Sequence, residues 1–338
     1  MKKIVVVAAV VILVGVIYAA WQLFGPTINA DEKYFYIKTG STYTEVKKSL
    51  QEKKIIASPF FFDKVAGKAG YKAIRPGRYE LKEGSNLISL VRMLKGGRQS
   101  PVKLVINKLR TKEDFAAKIG ANFEADSAAV MTFMLSKDSL TAYGLDSNTS
   151  LTTVIPDTYL ITWNGGFKKI FTRLQSEHDK FWNNERMQKA SRLQMSPQKI
   201  YTIASIVEEE TNKKEDKPLI ASVYINRLRK GMRLEADPTV KYAMRNFGLK
   251  RILRGHLQYP SPYNTYQNMG LPPGPISTAT GATIDAVLEA PVTDYIFFVA
   301  KPDFKGYSNF AATYVQHMIY AKAYQKALDS LIISKNKN

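Results

Sequence analysis

From Ile4 to Phe24 the chain is apolar and uncharged, interrupted only by Gln22. That length predicts a helix able to cross a bilayer. Lys2 and Lys3 precede the run and Trp21 falls where an aromatic side chain suits the membrane interface. A cleaved signal would have a shorter apolar stretch and a small-residue cleavage box. The expectation is therefore an uncleaved anchor, residues 1–24, with its N-terminus in the cytoplasm, residues 4–24 in the membrane and everything after Gly25 outside.

Beyond the anchor the pattern turns amphipathic and partly repeats. Lys38-Thr-Gly-Ser41 introduces Tyr43, Val46 and Leu50, and Lys82-Glu-Gly-Ser85 introduces Leu87, Leu90 and Leu94 at the same offsets. Each block reads as a Ser-capped helix preceded by a short strand, Tyr34 to Lys38 and Gly77 to Leu81. Thr42 with Glu45 offers a capping box one residue later, and Gly96-Gly97 a helix stop. Residues 31–99 thus form a small α+β module, and it resembles the LysM-like domains that bind glycan strands. A second, larger α+β domain runs over 101–338. It opens with an apolar strand, Val102 to Ile106, and a helix capped by Thr111; Ile155-Pro-Asp-Thr-Tyr159 reads as a turn, and Phe167 to Met195 as a long amphipathic helical region.

Ser196-Pro197 reads as an N-cap and first helical residue, so a helix begins near Gln198. At about 100° per residue Ile200, Ile203, Ala204 and Val207 share one stripe. Three glutamates close this helix. Glu209 points away from the stripe and is expected in solvent, whereas Glu208 and Glu210 lie on its two shoulders. Partial desolvation there raises a carboxyl pKa towards the range of a general acid, which makes these two the candidates. The next helix opens at Pro218 and ends at Gly231, with Asn226 on its apolar face beside Leu219 and Val223. Ala236 to Val240, Tyr259 to Tyr266 and Gly270 to Ile276 are rich in Pro, Gly, Asp, Asn, Thr and Tyr. They read as rigid loops able to present aromatic faces and amides to a sugar. A helix from Ala282 to Glu289, a strand Tyr295 to Ala300 and a helix Tyr314 to Leu331 finish the domain.

Composition narrows the chemistry. There is no cysteine, and the three histidines have no metal spacing, so neither thiol chemistry nor a metal or other cofactor is expected. The net charge of +20 points to an anionic environment. With the catalytic region outside the membrane and no nucleic-acid-binding motif, nucleic acid is not expected as a partner.

Ala204-Ser-Ile-Val-Glu208, Ala221 to Leu228 with Gly231-Met232, Asp237-Pro-Thr-Val240, Pro262-Tyr-Asn-Thr-Tyr266 and Gly270-Leu-Pro-Pro-Gly-Pro-Ile276 stand in one order. In these blocks the chain resembles the endolytic murein transglycosylases, the MltG or YceG-like family. The resemblance implies a lytic transglycosylase that cleaves the MurNAc–GlcNAc bond of nascent peptidoglycan, with the muramyl 6-hydroxyl as nucleophile and a 1,6-anhydroMurNAc end as product. It implies Glu208 as the single general acid and base, and Asp237 and Glu210 are the candidate supporting groups beside it. Asn226, Asp237, Thr239, Tyr263, Asn264, Thr265 and Tyr266 are the expected substrate-binding residues. It also implies peptidoglycan strands and cell-wall synthesis enzymes as partners, at the cytoplasmic membrane. A non-catalytic scaffold that binds the wall and recruits synthesis enzymes is the alternative. The chain departs from the family pattern at Leu151-Thr152, at Ser277 to Thr280 and at Met318, while Phe310 and His317 keep its spacing.

Overall fold

The computed structural model describes residues 2–335; Met1 and 336–338, the outer ends of the expected anchor and second domain, lie outside the described residues. The protein is mixed α+β, as its pattern implies. It divides into two compact units, Met1–Leu104 with Ile119–Asp126 and Tyr159–Gly166, and Val105–Lys118 with Ser127–Thr158 and Phe167–Asn338. The two short inserts of the first unit fall within the range assigned from sequence to the second domain.

In the first unit, α1 (Lys2–Phe24) is apolar all round after Lys2 and Lys3, and the side chains of residues 4–17 are exposed. Gln22 is the one buried side chain of α1 and donates to the Tyr18 hydroxyl at 3.1 Å. The rest of the unit is built on β1 (Tyr34–Ile37), α2 (Tyr43–Glu52), α3 (Pro59–Ala69), β2 (Gly77–Glu80) and α4 (Leu87–Gly96). β1 and β2 pair antiparallel with Phe35 opposite Tyr79. Their buried faces meet Leu50, Phe62 and Leu94 from the three helices. The helix caps fall one residue later than Ser41 and Ser85. Thr42 and Glu45 form a reciprocal capping box, and Asn86 accepts from the Ser89 amide. Gly97 stops α4 in the left-handed conformation, where a side chain would be strained. α3 was not anticipated, although Pro59 at its start and a left-handed Gly70 at its end mark it locally.

The chain continues through β3 (Val102–Val105), α5 (Lys112–Asn122), α6 (Ser127–Leu135), α7 (Lys137–Thr141) and β4 (Thr158–Ile161), which pairs with β3. The expected long helical region is two helices, α8 (Gly166–Phe181) and α9 (Asn184–Arg192). Asn183 breaks the run by capping α9. Next come α10 (Pro197–Glu210), α11 (Asp216–Arg229), α12 (Asp237–Ala243) and α13 (Gly281–Leu288). The hairpin β5 (Phe297–Ala300) and β6 (Ser308–Ala311) precedes α14 (Tyr314–Lys335).

α10 is the centre of the second unit. Every residue from Ile200 to Val207 is buried, on all faces and not on a single stripe. It packs against α9, α11, α12 and α13. Its polar side chains serve as ties: Ser205 Oγ accepts from the Ile276 amide and donates to the Thr202 carbonyl. The proline-rich loop is thereby fixed to the helix. At Gly274 a Cβ would lie 2.1 Å from the Asn148 carbonyl oxygen, so the loop closes there only with glycine.

Candidate active site

The three glutamates that end α10 reach three different environments. Glu208 is turned towards α11 and α13, its side chain 14% exposed. Its Oε2 accepts from Lys217 Nζ at 3.1 Å, from Thr280 Oγ1 at 3.1 Å and from Thr283 Oγ1. Lys217 in turn donates to Thr283 Oγ1. Burial alone would raise the Glu208 pKa, but the donors on Thr283, Lys217 and Thr280 together with the Lys217 charge outweigh it. The net effect is a lowered pKa. The sequence expectation of a raised value is overturned here, because the partners that stabilise the carboxylate come from α11 and α13.

Glu209 is not solvated either. Its side chain is 15% exposed and pairs with Lys108 at 2.8 Å and Arg110 at 3.3 Å. The expectation of a solvated residue assumed a helix with one wet face, and a helix buried all round has none.

Glu210 enters a cavity of about 380 Å³. Asp237 and Tyr266 also line it, with Arg227, Glu235, Phe297, Phe298, Tyr314 and His317. Tyr224, buried in α11, donates its hydroxyl to Glu210 Oε1 at 2.6 Å. Burial pushes the Glu210 pKa up, the Tyr224 bond draws it down, and the negative charge of Asp237 adds to the rise. The balance stands at about 7. Tyr266 donates to Asp237 Oδ1 at 2.7 Å, which fixes this second carboxylate. Asp237 opens α12, so the segment read as a loop is helical; Pro238 sits in its first turn, where the missing N–H costs nothing.

Arg227 shapes the wall of the cavity. Its guanidinium donates to the Ile296, Arg233 and Leu234 carbonyls and to Glu235 Oε2 at 2.8 Å. Glu235 has φ +53°, a left-handed conformation costly for a non-glycine residue. The ion pair helps hold it. His317 stacks on Phe297 with ring centroids 5.0 Å apart, and burial followed by the nearby Arg227 charge lowers its pKa. A cavity with aromatic walls, one carboxyl near neutrality and a fixed second carboxylate suits acid-base chemistry on a polar ring compound. Among the described residues, no group of three or more His, Asp or Glu side chains is placed to hold a metal ion.

The expected binding residues divide. Asp237 and Tyr266 line the cavity with Glu210. The others do not, and their side chains contact the protein itself. Asn226 Nδ2 donates to the Thr293 and Tyr295 carbonyls. Asn264 Nδ2 donates to the Leu257 and Tyr259 carbonyls, and Thr239 and Thr265 share a buried hydrogen bond of 2.9 Å. Tyr263 packs on Tyr242 with centroids 4.7 Å apart. Sequence reasoning missed Arg227, Glu235, Phe297, Phe298 and Tyr314. Arg227 adjoins Asn226 in the block Ala221 to Leu228, and an Arg next to an Asn on the apolar face of a helix is the available signal.

The model of the YceG-like family matches residues 35–323, all the elements just described from β1 into α14. This chain belongs to the YceG-like family. An endolytic murein transglycosylase of Bacillus subtilis strain 168 is 43% identical over 143 residues, which are 42% of this YceG-like chain and 37% of that protein. One of Streptococcus pneumoniae serotype 2 strain D39 is 26% identical over 311 residues, 81% of this chain and 55% of that protein. The chain therefore matches about half or less of the length of these curated relatives. A crystallised YceG-like protein of Listeria monocytogenes is similar at 30% identity and a TM-score of 0.56, over 84% of this chain and 97% of that one.

Proposed function

We propose that this YceG-like chain is a membrane-anchored endolytic lytic transglycosylase acting on nascent peptidoglycan, with Glu210 as its general acid and base. The observation that carries the reading is the Glu210 carboxyl, held near neutral pKa in a cavity with aromatic walls. The substrate class rests on the names of the relatives. Glu210 gives its proton to the glycosidic oxygen as the bond from that oxygen to muramyl C1 breaks. The muramyl 6-hydroxyl oxygen then bonds to C1 and returns its proton to the Glu210 carboxylate, leaving a 1,6-anhydro end. Because the nucleophile is internal to the sugar, one carboxyl serves both steps, whereas hydrolases generally use two. Asp237, held by Tyr266, faces the cationic character that develops at C1.

In this reading Glu208, which the sequence resemblance favoured as the acid, is a carboxylate already committed to Lys217. A lowered pKa leaves it without a proton to give at neutral pH. α1 spans the cytoplasmic membrane with Lys2 and Lys3 inside, since it is long and apolar enough to cross and carries its charge at one end. The β1–β2 module acts as a LysM-like glycan-binding unit, and proximity to wall-synthesis enzymes follows from acting on new strands at the membrane.

The test is to incubate the full chain with uncapped glycan strands and weigh the products. Anhydro ends that disappear in Glu210→Gln and persist at reduced yield in Glu208→Gln are the expected result. Reducing ends would mean hydrolysis, and retention of full activity in Glu210→Gln would overturn the assignment.

A further inference from the structure

Phe61, in the first turn of α3, lies level with the inside of the anchor helix and not beyond its end. The Tyr18 and Phe61 rings meet edge to face at 6.1 Å. Tyr18 lies six residues before the end of α1, about 9 Å along the axis at 1.5 Å per residue. If the roughly 20 residues that cross about 30 Å of hydrocarbon begin at Ile4, they end at Leu23, and Tyr18 is below the membrane surface. Phe61 is therefore carried to that depth as well. Gln22, which would be costly against lipid, is covered by protein instead, only 5% exposed.

Phe60 adjoins Phe61 but faces outward. It is 61% exposed, although its neighbour Phe62 is wholly buried in the core of the unit. One turn further along α3, Lys64 holds its ammonium 5.4 Å from the Phe60 ring, and Lys68 continues the same exposed stripe. An apolar ring with lysines on the following turns is the arrangement that places a ring among acyl chains while ammonium groups reach lipid phosphates. We infer that α3 is a second membrane contact, with Phe60 at the acyl–headgroup boundary and Lys64 and Lys68 at the phosphates, seating the first unit on the bilayer. The inference rests on the reading of α1 as a spanning helix. It implies that the β1–β2 module has a fixed height above the lipid and does not swing on a tether.

The absence of cysteine makes the test direct. Full-length single-cysteine variants Phe60→Cys, Ile12→Cys and Lys48→Cys carry an environment-sensitive fluorophore in nanodiscs containing phosphatidylglycerol. Phe60 is exposed, so the substitution leaves the core intact. The expected result is blue-shifted emission at position 60, quenched by shallow spin-labelled lipid several-fold more than at position 48, with position 12 quenched by deep spin labels. Water-like emission at 60 with quenching retained at 12 would overturn the seating and leave the spanning reading standing. Loss of quenching at both 12 and 60 would remove the spanning reading, and the seating with it.

Discussion

The Tyr224 hydroxyl donates to Glu210 Oε1 at 2.6 Å, joining the buried face of α11 to the last residue of α10. This bond opposes burial, holding the Glu210 pKa lower than desolvation alone would set it. Tyr224→Phe removes the donor without changing the shape of the site. The Glu210 pKa then rises above about 7, and the alkaline limb of the pH–rate profile, where the acid loses its proton, moves to higher pH. Measuring kcat/KM against pH decides it. A limb that stays in place would separate Glu210 from the titration that controls the rate.

The same raised pKa has a cost for the fold. Between the ordinary 4.5 and about 7, folded Glu210 keeps a proton that the unfolded chain has released, so stability falls as pH rises through that window and the loss is complete above it. One unit corresponds to about 1.4 kcal/mol, and Glu210→Gln, which keeps an acceptor for Tyr224, should gain about 1–3 kcal/mol at pH 8 and close to nothing below pH 4. Urea unfolding at both pH values measures the difference. A variant destabilised at pH 8 would contradict the raised pKa.

Local chemistry predicted much of this fold because the signals were themselves local. Ser196 does accept from the Lys199 amide, and Pro197 does open α10. What escaped was set by distant residues. Glu209 was expected in water because its partners, Lys108 and Arg110, lie about 100 positions away in sequence. Helical angle placed Glu208 and Glu210 alike on the shoulders of a stripe. They differ because Lys217, Thr280 and Thr283 meet one, while Tyr224 and Asp237 meet the other. Residue type alone marks the polar loop residues as groove residues. Loops without regular backbone pairing use side chains to satisfy carbonyls, and Asn264, fully buried, does that.

Glu208 and Lys217 are 14% and 13% exposed, a nearly buried ion pair. Removing one partner strands the other charge, so Glu208→Gln should cost about 3 kcal/mol, whereas Glu208→Gln with Lys217→Met should recover most of it. The sign with pH is opposite to that of Glu210. The folded pKa lies below 4.5, so the stabilisation is present above that value and lost as pH falls through the folded pKa. The pair also secures the turn of α10 that carries Glu210. kcat in Glu208→Gln should fall by as much as about 10²-fold, the effect of a small misplacement, without vanishing. Complete loss of turnover in a folded Glu208→Gln protein, beside an active Glu210→Gln, would reverse the two roles.

Asn226 and Tyr266 were expected to share one task, and their hydrogen bonds assign them different ones. Asn226 Nδ2 holds the Thr293 and Tyr295 carbonyls just before β5, the strand that supplies Phe297 and Phe298 to the cavity. Asn226→Ala leaves those carbonyls without their donor and should cost about 1–3 kcal/mol. Its effect on turnover should follow the loss of folded protein. Tyr266 is only partly buried, and its hydroxyl serves one group, Asp237 Oδ1. Tyr266→Phe therefore should change stability by less than about 1 kcal/mol, the ordinary net value of one hydrogen bond. It frees the Asp237 carboxylate to rotate away from the sugar, so kcat should drop about tenfold or more with little change in KM, the signature of an interaction made chiefly in the transition state. Thermal melts and steady-state kinetics on the same two preparations provide the comparison. If Asn226→Ala melts like the parent but raises KM, its amide binds substrate after all; if Tyr266→Phe keeps full kcat, the orientation of Asp237 has no part in the reaction.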